Sequence, residues 1–222
     1  MKKLILLLCF AILFVTINAQ KQDEGSQTIE MEFSPLGSEP FKINALRYRY
    51  FLQDNLAIRG SIFMGGKRNT TLSDTTGGMP MTKNRNGNFD FSIRPGIERH
   101  FEGTDKLSPY AGAELFLGLN FTKDNEESLW SDNKTIQTTI NKTSSSSFGT
   151  NIFMGADYYI SDHLFLGAEL GFGLLLDGRG KTKTSYENPE VPTQDSEIIG
   201  NTKQLNWGPN YQGTIRLGWV FK

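Results

Sequence analysis

Hydrophobic and polar residues alternate most regularly between Phe148 and Leu176, in two segments joined by the short turn Ser161-Asp162-His163. In the first segment Phe148, Thr150, Ile152, Met154, Ala156, Tyr158 and Ile160 share one parity, and Gly149, Asn151, Phe153, Gly155, Asp157 and Tyr159 the other. In the second, Leu164, Leu166, Ala168, Leu170, Phe172, Leu174 and Leu176 stand against Phe165, Gly167, Glu169, Gly171, Gly173 and Leu175. A period of two held over about a dozen residues predicts β-strands, and that length lets a tilted strand cross a bilayer.

The same alternation predicts six more strands, over roughly 28–33, 41–52, 56–65, 89–101, 108–121 and 211–221. Pro95-Gly96 interrupts the fourth; proline cannot donate to a ladder, so a bulge or kink is expected there. The turns after strands two, four and six are brief. By contrast 66–88, 122–147 and 177–210 dissolve into Gly, Asn, Ser, Thr and Lys and read as long loops. An even number of strands can close as a meander. The expected fold is all-β: an eight-stranded antiparallel up-and-down transmembrane β-barrel, with short turns and both termini in the periplasm and long loops outside.

A soluble calyx of the lipocalin sort has the same period, with its apolar face turned inward around a ligand. Three features favour the membrane. The face opposite the apolar one is crowded with glycine (Gly96, Gly112, Gly118, Gly155, Gly167, Gly171 among others), which suits a narrow interior. Lysine, the usual protector of a solvated sheet, is concentrated in the loops. Aromatics of the apolar parity gather near strand ends: Tyr48, Tyr50, Phe101, Tyr158, Trp219 and Phe221 at one end, Phe33, Phe89, Phe91, Phe121, Phe148 and Tyr211 at the other.

If the apolar face meets lipid, parity sends Glu30, Glu32, Asp90, Glu98, Glu114, Asp157 and Glu169 inward, with Arg47, Arg49, Arg59, Arg94 and Arg216. Buried charges cost several kcal/mol each unless they are paired and hydrogen-bonded. A turn centred near Asp54 sets Arg49 almost opposite Arg59, which calls for carboxylates from across the lumen. Arginine suits that task because its planar fork bridges two carboxylates. Eight strands leave room only for side chains, so the expected outcome is a structural ion-pair plug rather than a gated path.

The chain opens with Met1-Lys2-Lys3, an apolar run from Leu4 to Ile17, and Asn18-Ala19-Gln20. This pattern predicts a secretory signal peptide over 1–19, followed by a short periplasmic segment over 20–26 and the barrel over 27–222. Cys9, the only cysteine, falls within the signal peptide, so no disulfide or thiol nucleophile is expected in the mature chain. The 23 basic and 24 acidic residues nearly balance, which argues against a nucleic-acid partner.

No catalytic, cofactor or metal site is expected. The two histidines, His100 facing the lumen and His163 in a turn, cannot join a serine and a carboxylate on the outer rim. Asp124, Glu126, Glu127 and Asp132 lack the alternating ligands and glycine of a calcium loop and read as a solvated acidic stretch. Asp74-Thr75-Thr76 resembles a short O-glycosylation sequence of Bacteroidetes.

From Gln27 onward, the eight alternating segments and the ending Ile215-Arg216-Leu217-Gly218-Trp219-Val220-Phe221 resemble the small outer-membrane barrels of the OmpX type and the barrel half of the OmpA type. Ile215, Leu217, Trp219 and Phe221 look like the C-terminal signal read by the barrel assembly machinery, with Lys222 after the aromatic as a departure. The resemblance implies an integral outer-membrane protein with lipid and the assembly machinery as partners. Without a periplasmic domain after Phe221, peptidoglycan binding is not implied. The expected role is non-catalytic: surface binding or envelope integrity through the long loops, with Trp130 and Trp207 as candidate loop contacts. An accessory subunit of a larger outer-membrane complex, or a narrow porin-like channel, is the alternative.

Overall fold

The computed structural model describes residues 22–33, 43–73, 81–129, 135–188, 191–198 and 202–221. The stretch 1–19 expected to be a signal peptide, the loop over 34–40, Asp74-Thr75-Thr76, Trp130 and Asp132 lie outside these residues. The strands are β1 (Gln27–Phe33), β2 (Ile43–Gln53), β3 (Leu56–Ser73), β4 (Met81–His100), β5 (Leu107–Leu129), β6 (Thr135–Tyr159), β7 (Leu164–Asn188), β8 (Val191–Ile198) and β9 (Thr202–Phe221). Each ring strand pairs antiparallel with its neighbours from β1 through β7, and β9 joins β7 to β1. The β6–β7 ladder completes the circle, so eight strands form a closed barrel. The ninth, β8, is an appendage hydrogen-bonded to the far end of β7.

Closure gives every ring strand an antiparallel partner on both sides, and period two then sorts the side chains. Ile152 and Leu170 are each 64% exposed and Met64 70%, while Glu30, Arg49, Asp157 and Arg216 are fully buried. The apolar face therefore points out and the charged face in. This excludes the calyx, and an apolar exterior of this extent needs hydrocarbon around it.

Two expectations are corrected. The stretches read as long loops are mostly strand: β3 runs on to Ser73 and β4 begins at Met81, β5 runs to Leu129 and β6 begins at Thr135. Their ladders continue unbroken through residues polar on both faces, such as Lys67↔Asn88 and Thr122↔Thr143. Alternation fades there because neither face meets lipid or a core, yet the backbone bonds remain satisfied strand to strand. β5 has 23 residues, a strand on the order of 75 Å long, against an apolar band about 25 Å tall. The hairpins thus project far beyond the band at the end opposite the short turns.

The second correction concerns Pro95-Gly96. β4 keeps one register with β3 through Gly60↔Pro95 and Arg59↔Gly96. On the β5 side pairing lapses between Ile93↔Leu117 and Gly96↔Glu114, then resumes without a shift. Proline's missing N–H thus leaves a gap in one ladder rather than a bulge. A large shift occurs instead in β9, where residues 211–213 face the single Leu170 between Glu169↔Thr214 and Gly171↔Asn210.

Candidate functional site

The lumen is filled in layers. At the short-turn end Tyr159, Phe165 and Val220 form a buried cluster, with Phe51 buried nearby. Residues 22–26 fold beneath: the Gly25 N–H donates to the Phe51 carbonyl (2.9 Å), and Gln22 and Ser26 are buried.

Above this stopper lies a lattice of ion pairs. Arg49 Nη1 donates to Glu98 Oε1 (2.7 Å) and Asp157 Oδ2 (2.8 Å), and its Nε is paired with Glu30. Arg59 reaches Glu98 Oε2 (3.2 Å), Glu114 Oε2 (2.5 Å) and Glu169 Oε2 (2.7 Å). Arg47 is paired with Glu32 and donates to Glu169 Oε2 (3.0 Å) and, through Nε, to Ser61 Oγ (3.1 Å). Arg216 donates to Glu30 Oε2 (2.6 Å), Asp157 Oδ1 (2.6 Å) and the Tyr110 hydroxyl, which in turn donates to Glu169 Oε2 (3.0 Å). Each guanidinium joins carboxylates from different strands, so the lattice cross-links the wall through its axis. Charge-assisted bonds of this kind offset the desolvation of both partners only when most donors are used; here Arg49 Nη2 and Arg216 Nε are the buried guanidinium atoms without a hydrogen bond among the described residues.

Glycines on the inner face make the room. A Cβ on Gly167 would stand 2.5 Å from both Arg216 Nη2 and Asp157 Oδ1, and one on Gly171 2.7 Å from Asn151 Oδ1. The Arg59 guanidinium lies 3.4 Å from the centroid of the Phe153 ring, a cation–π contact.

Not every inward charge belongs to this lattice. Arg94 is at its upper rim, 22% exposed, bonded to Glu32 Oε2 (2.6 Å). Asp90 stands apart and higher, accepting from Asn88 Nδ2 (2.7 Å) and Asn120 Nδ2 (2.6 Å). That corrects its expected place in the ion-pair network: several residues nearer the hairpins, its neighbours are amides rather than guanidinia. Above the lattice the lumen opens into a cup of about 750 Å³, its lining including Arg94, Glu114, Phe63, Phe116, Leu175 and Asn151.

Reading charges alone missed the neutral members, Tyr110, Phe153, Thr28 and Ser61. Their inward parity was the available signal. His100 bonds Ser108 Oγ (2.8 Å) and Glu98 Oε1 (3.0 Å), and His163 stacks on Trp219 with ring centroids 5.6 Å apart. Asp124 and Glu126 share one parity of β5, while Glu127 has the other and is paired with Arg85. Trp207 is not in a loop: it lies on β9, opposite Leu174 and 73% exposed, with the parity of Ile215, Leu217, Trp219 and Phe221.

A closed eight-stranded ring with a lipid-facing wall and a charged interior is now joined by a family match. Residues 38–172, more than half of the chain, match the family described as "Putative OmpA-OmpF-like porin family". The chain belongs to this family. Its barrel is thus that of an outer-membrane porin-like protein, and its apolar wall is the surface that meets the lipid of the outer membrane. No curated protein matches the chain. Among solved structures it is similar to the N-terminal β-barrel domain of Pseudomonas aeruginosa OprF, at 16% identity and TM-score 0.34, covering 90% of this chain and 100% of that one. It is also similar to Ail, the attachment invasion locus protein of Yersinia pestis, at 13% identity and TM-score 0.36, covering 89% and 99%. The outer membrane protein OprG of P. aeruginosa follows at 16% identity and TM-score 0.29, covering 92% and 99%.

Proposed function

We propose that this porin-family barrel is a non-catalytic outer-membrane protein with a closed lumen, acting through its hairpin extensions in surface binding or envelope integrity. The observation that carries the reading is the buried lattice. Arg47, Arg49, Arg59 and Arg216 each meet carboxylates across the axis while showing almost no surface to water. An ion would have to pass both this lattice and the stopper of Tyr159, Phe165 and Val220. In the same reading the short turns and both termini face the periplasm, and the hairpins stand outside the cell. The asymmetry of connection lengths supports that orientation. Ile215, Leu217, Trp219 and Phe221 serve as the assembly signal during biogenesis.

A narrow channel is the second reading, favoured by the porin description of the family and by the cup above the lattice. Planar-bilayer recordings of the full barrel separate the two. The closed-lumen reading expects no steps above background, with steps appearing only once both barriers are opened, by alanine at Arg49 and Asp157 in the lattice and at Tyr159 and Phe165 in the stopper. Regular steps from the unaltered protein would establish the channel instead.

A further inference from the structure

The outer wall changes chemistry abruptly above its apolar band, and strand register shows what stands there. Lys123 on β5 pairs directly with Lys142 on β6, and Lys142 with Lys183 on β7. Directly paired residues project from the same face, so three exposed ammonium groups stand side by side across adjacent strands. The row continues the other way through Lys123↔Gly87 to Arg68 on β3, also exposed. On β9, Lys203 stands two residues beyond the outward Leu205. Like charges directly opposite one another destabilise a sheet, and more so beside a low-dielectric bilayer. Among the described residues Arg68, Lys123, Lys142, Lys183 and Lys203 form no salt bridge. The carboxylate nearest in register, Glu197 opposite Lys183, is bonded to Lys181 (3.4 Å).

Just below the lysines the wall is indented. Phe91, Leu119, Ser146, Gly178 and Lys203 form one cross-strand row, and Ile93, Leu117, Phe148, Leu176 and Leu205 the next. Ser146 and Gly178 are the small members, so the surface dips between Phe91 and Leu119 on one side and Lys203 on the other. The dip is a groove of about 560 Å³, walled by Phe91, Leu119, Phe148 and Leu176 with Lys203 at its edge. It opens on the wall that acyl chains bathe, and cations crown it.

We propose that this face is a binding site for a phosphate-bearing membrane lipid, held by its phosphates on Lys123, Lys142, Lys183 and Lys203 with an acyl chain in the groove over Ser146 and Gly178. Charge complementarity and continuity with the lipid-facing band select this occupant. Clustered ammonium groups at headgroup height attract anionic lipid, each adding to the affinity. The assignment rests on the outer-membrane placement of the barrel but not on its closed lumen, so conductance would refute the plug without bearing on this site.

The test is native mass spectrometry of the full barrel, released from uncharged detergent and titrated with bisphosphorylated lipid A or with the same lipid after dephosphorylation. The unaltered protein is expected to retain the phosphorylated form at least about tenfold more tightly. K123Q/K142Q/K183Q should lose that preference and K123R/K142R/K183R should keep it; both should hold the unaltered circular-dichroism spectrum, and the glutamine variant, relieved of the like-charge contacts, should melt no lower than the unaltered protein. Gly178→Leu, which fills the groove, should weaken both lipids alike. Equal retention of the two lipids by the unaltered protein, or a preference that survives the glutamine variant, would overturn the site. Unchanged retention by Gly178→Leu would remove the acyl-chain half of the assignment.

Discussion

Arg49 and Arg59 face each other directly across the β2–β3 ladder, and Glu98 from β4 divides its two oxygens between them, at 2.7 Å and 3.2 Å. Two guanidinia in that register repel one another, so the carboxylate is a condition of the pairing rather than an ornament of it. Register fixes the problem, and a third strand supplies the answer.

Glu98→Gln keeps the shape but removes the charge between the two arginines. Breaking a buried pair by neutralising one partner typically costs about 3–5 kcal/mol. Urea unfolding in lipid vesicles, followed by tryptophan fluorescence, should show a loss of that order. Adding Arg59→Met should deepen the loss rather than recover it, since Glu114 and Glu169 then lose the guanidinium that Arg59 supplies. A loss within about 0.5 kcal/mol, the range of an ordinary surface change, would mean the lattice does not hold the wall together.

Two glycines on neighbouring parities give opposite forecasts for the same substitution. A Cβ at Gly167 would press on both Arg216 and Asp157, whereas one at Gly60 meets nothing within 4 Å. Gly167→Ala should therefore destabilise by about 1–3 kcal/mol, as overpacking does. Gly60→Ala should be neutral or stabilising by up to about 1 kcal/mol, through the unfolded chain. Unfolding curves of the two variants side by side decide it, and equal effects would show that the inner glycines are not spacers.

The parity of Phe148 to Leu176 was enough to place every lipid-facing side chain of that hairpin, because one face meets hydrocarbon and the other meets charge. Register near Asp54 was legible for the same reason: a short turn leaves little freedom, and Arg49 lands on Arg59. What escaped the sequence were the hairpin extensions. Thr122, Lys123 and Asp124 pair with Thr143, Lys142 and Asn141 in unbroken register, but all six are polar, so no contrast between faces announces the strand. Asp90 escaped differently: parity gives the face but not the height, and height separates a lattice member from a residue of the cup. The network's neutral members were hidden because only charge was sought.

Depth along the wall should govern the cost of a misplaced charge. Leu170 is 64% exposed in the apolar band, and Thr193 on β8 is exposed well beyond it. Leu170→Arg should cost about 2–4 kcal/mol in vesicle unfolding, the penalty of a cation near the bilayer midplane, while Thr193→Arg should cost almost nothing. Comparable effects at both positions would contradict the placement of the band.

Trp207 offers the closest check on the outer edge of the membrane. The β9 shift inserts two residues relative to β7, an even number, so Trp207 keeps the outward parity of Ile215 and Trp219. It is 73% exposed beside Leu174, where an aromatic of the headgroup belt belongs. With Trp130 and Trp219 both replaced by phenylalanine, the remaining fluorescence reports on this one ring. Lipids brominated high on the acyl chain should quench it strongly, and acrylamide in the water phase weakly. Strong acrylamide quenching without bromine quenching would put Trp207 above the membrane, where it could meet a surface ligand, and would lower the outer boundary of the band on β9.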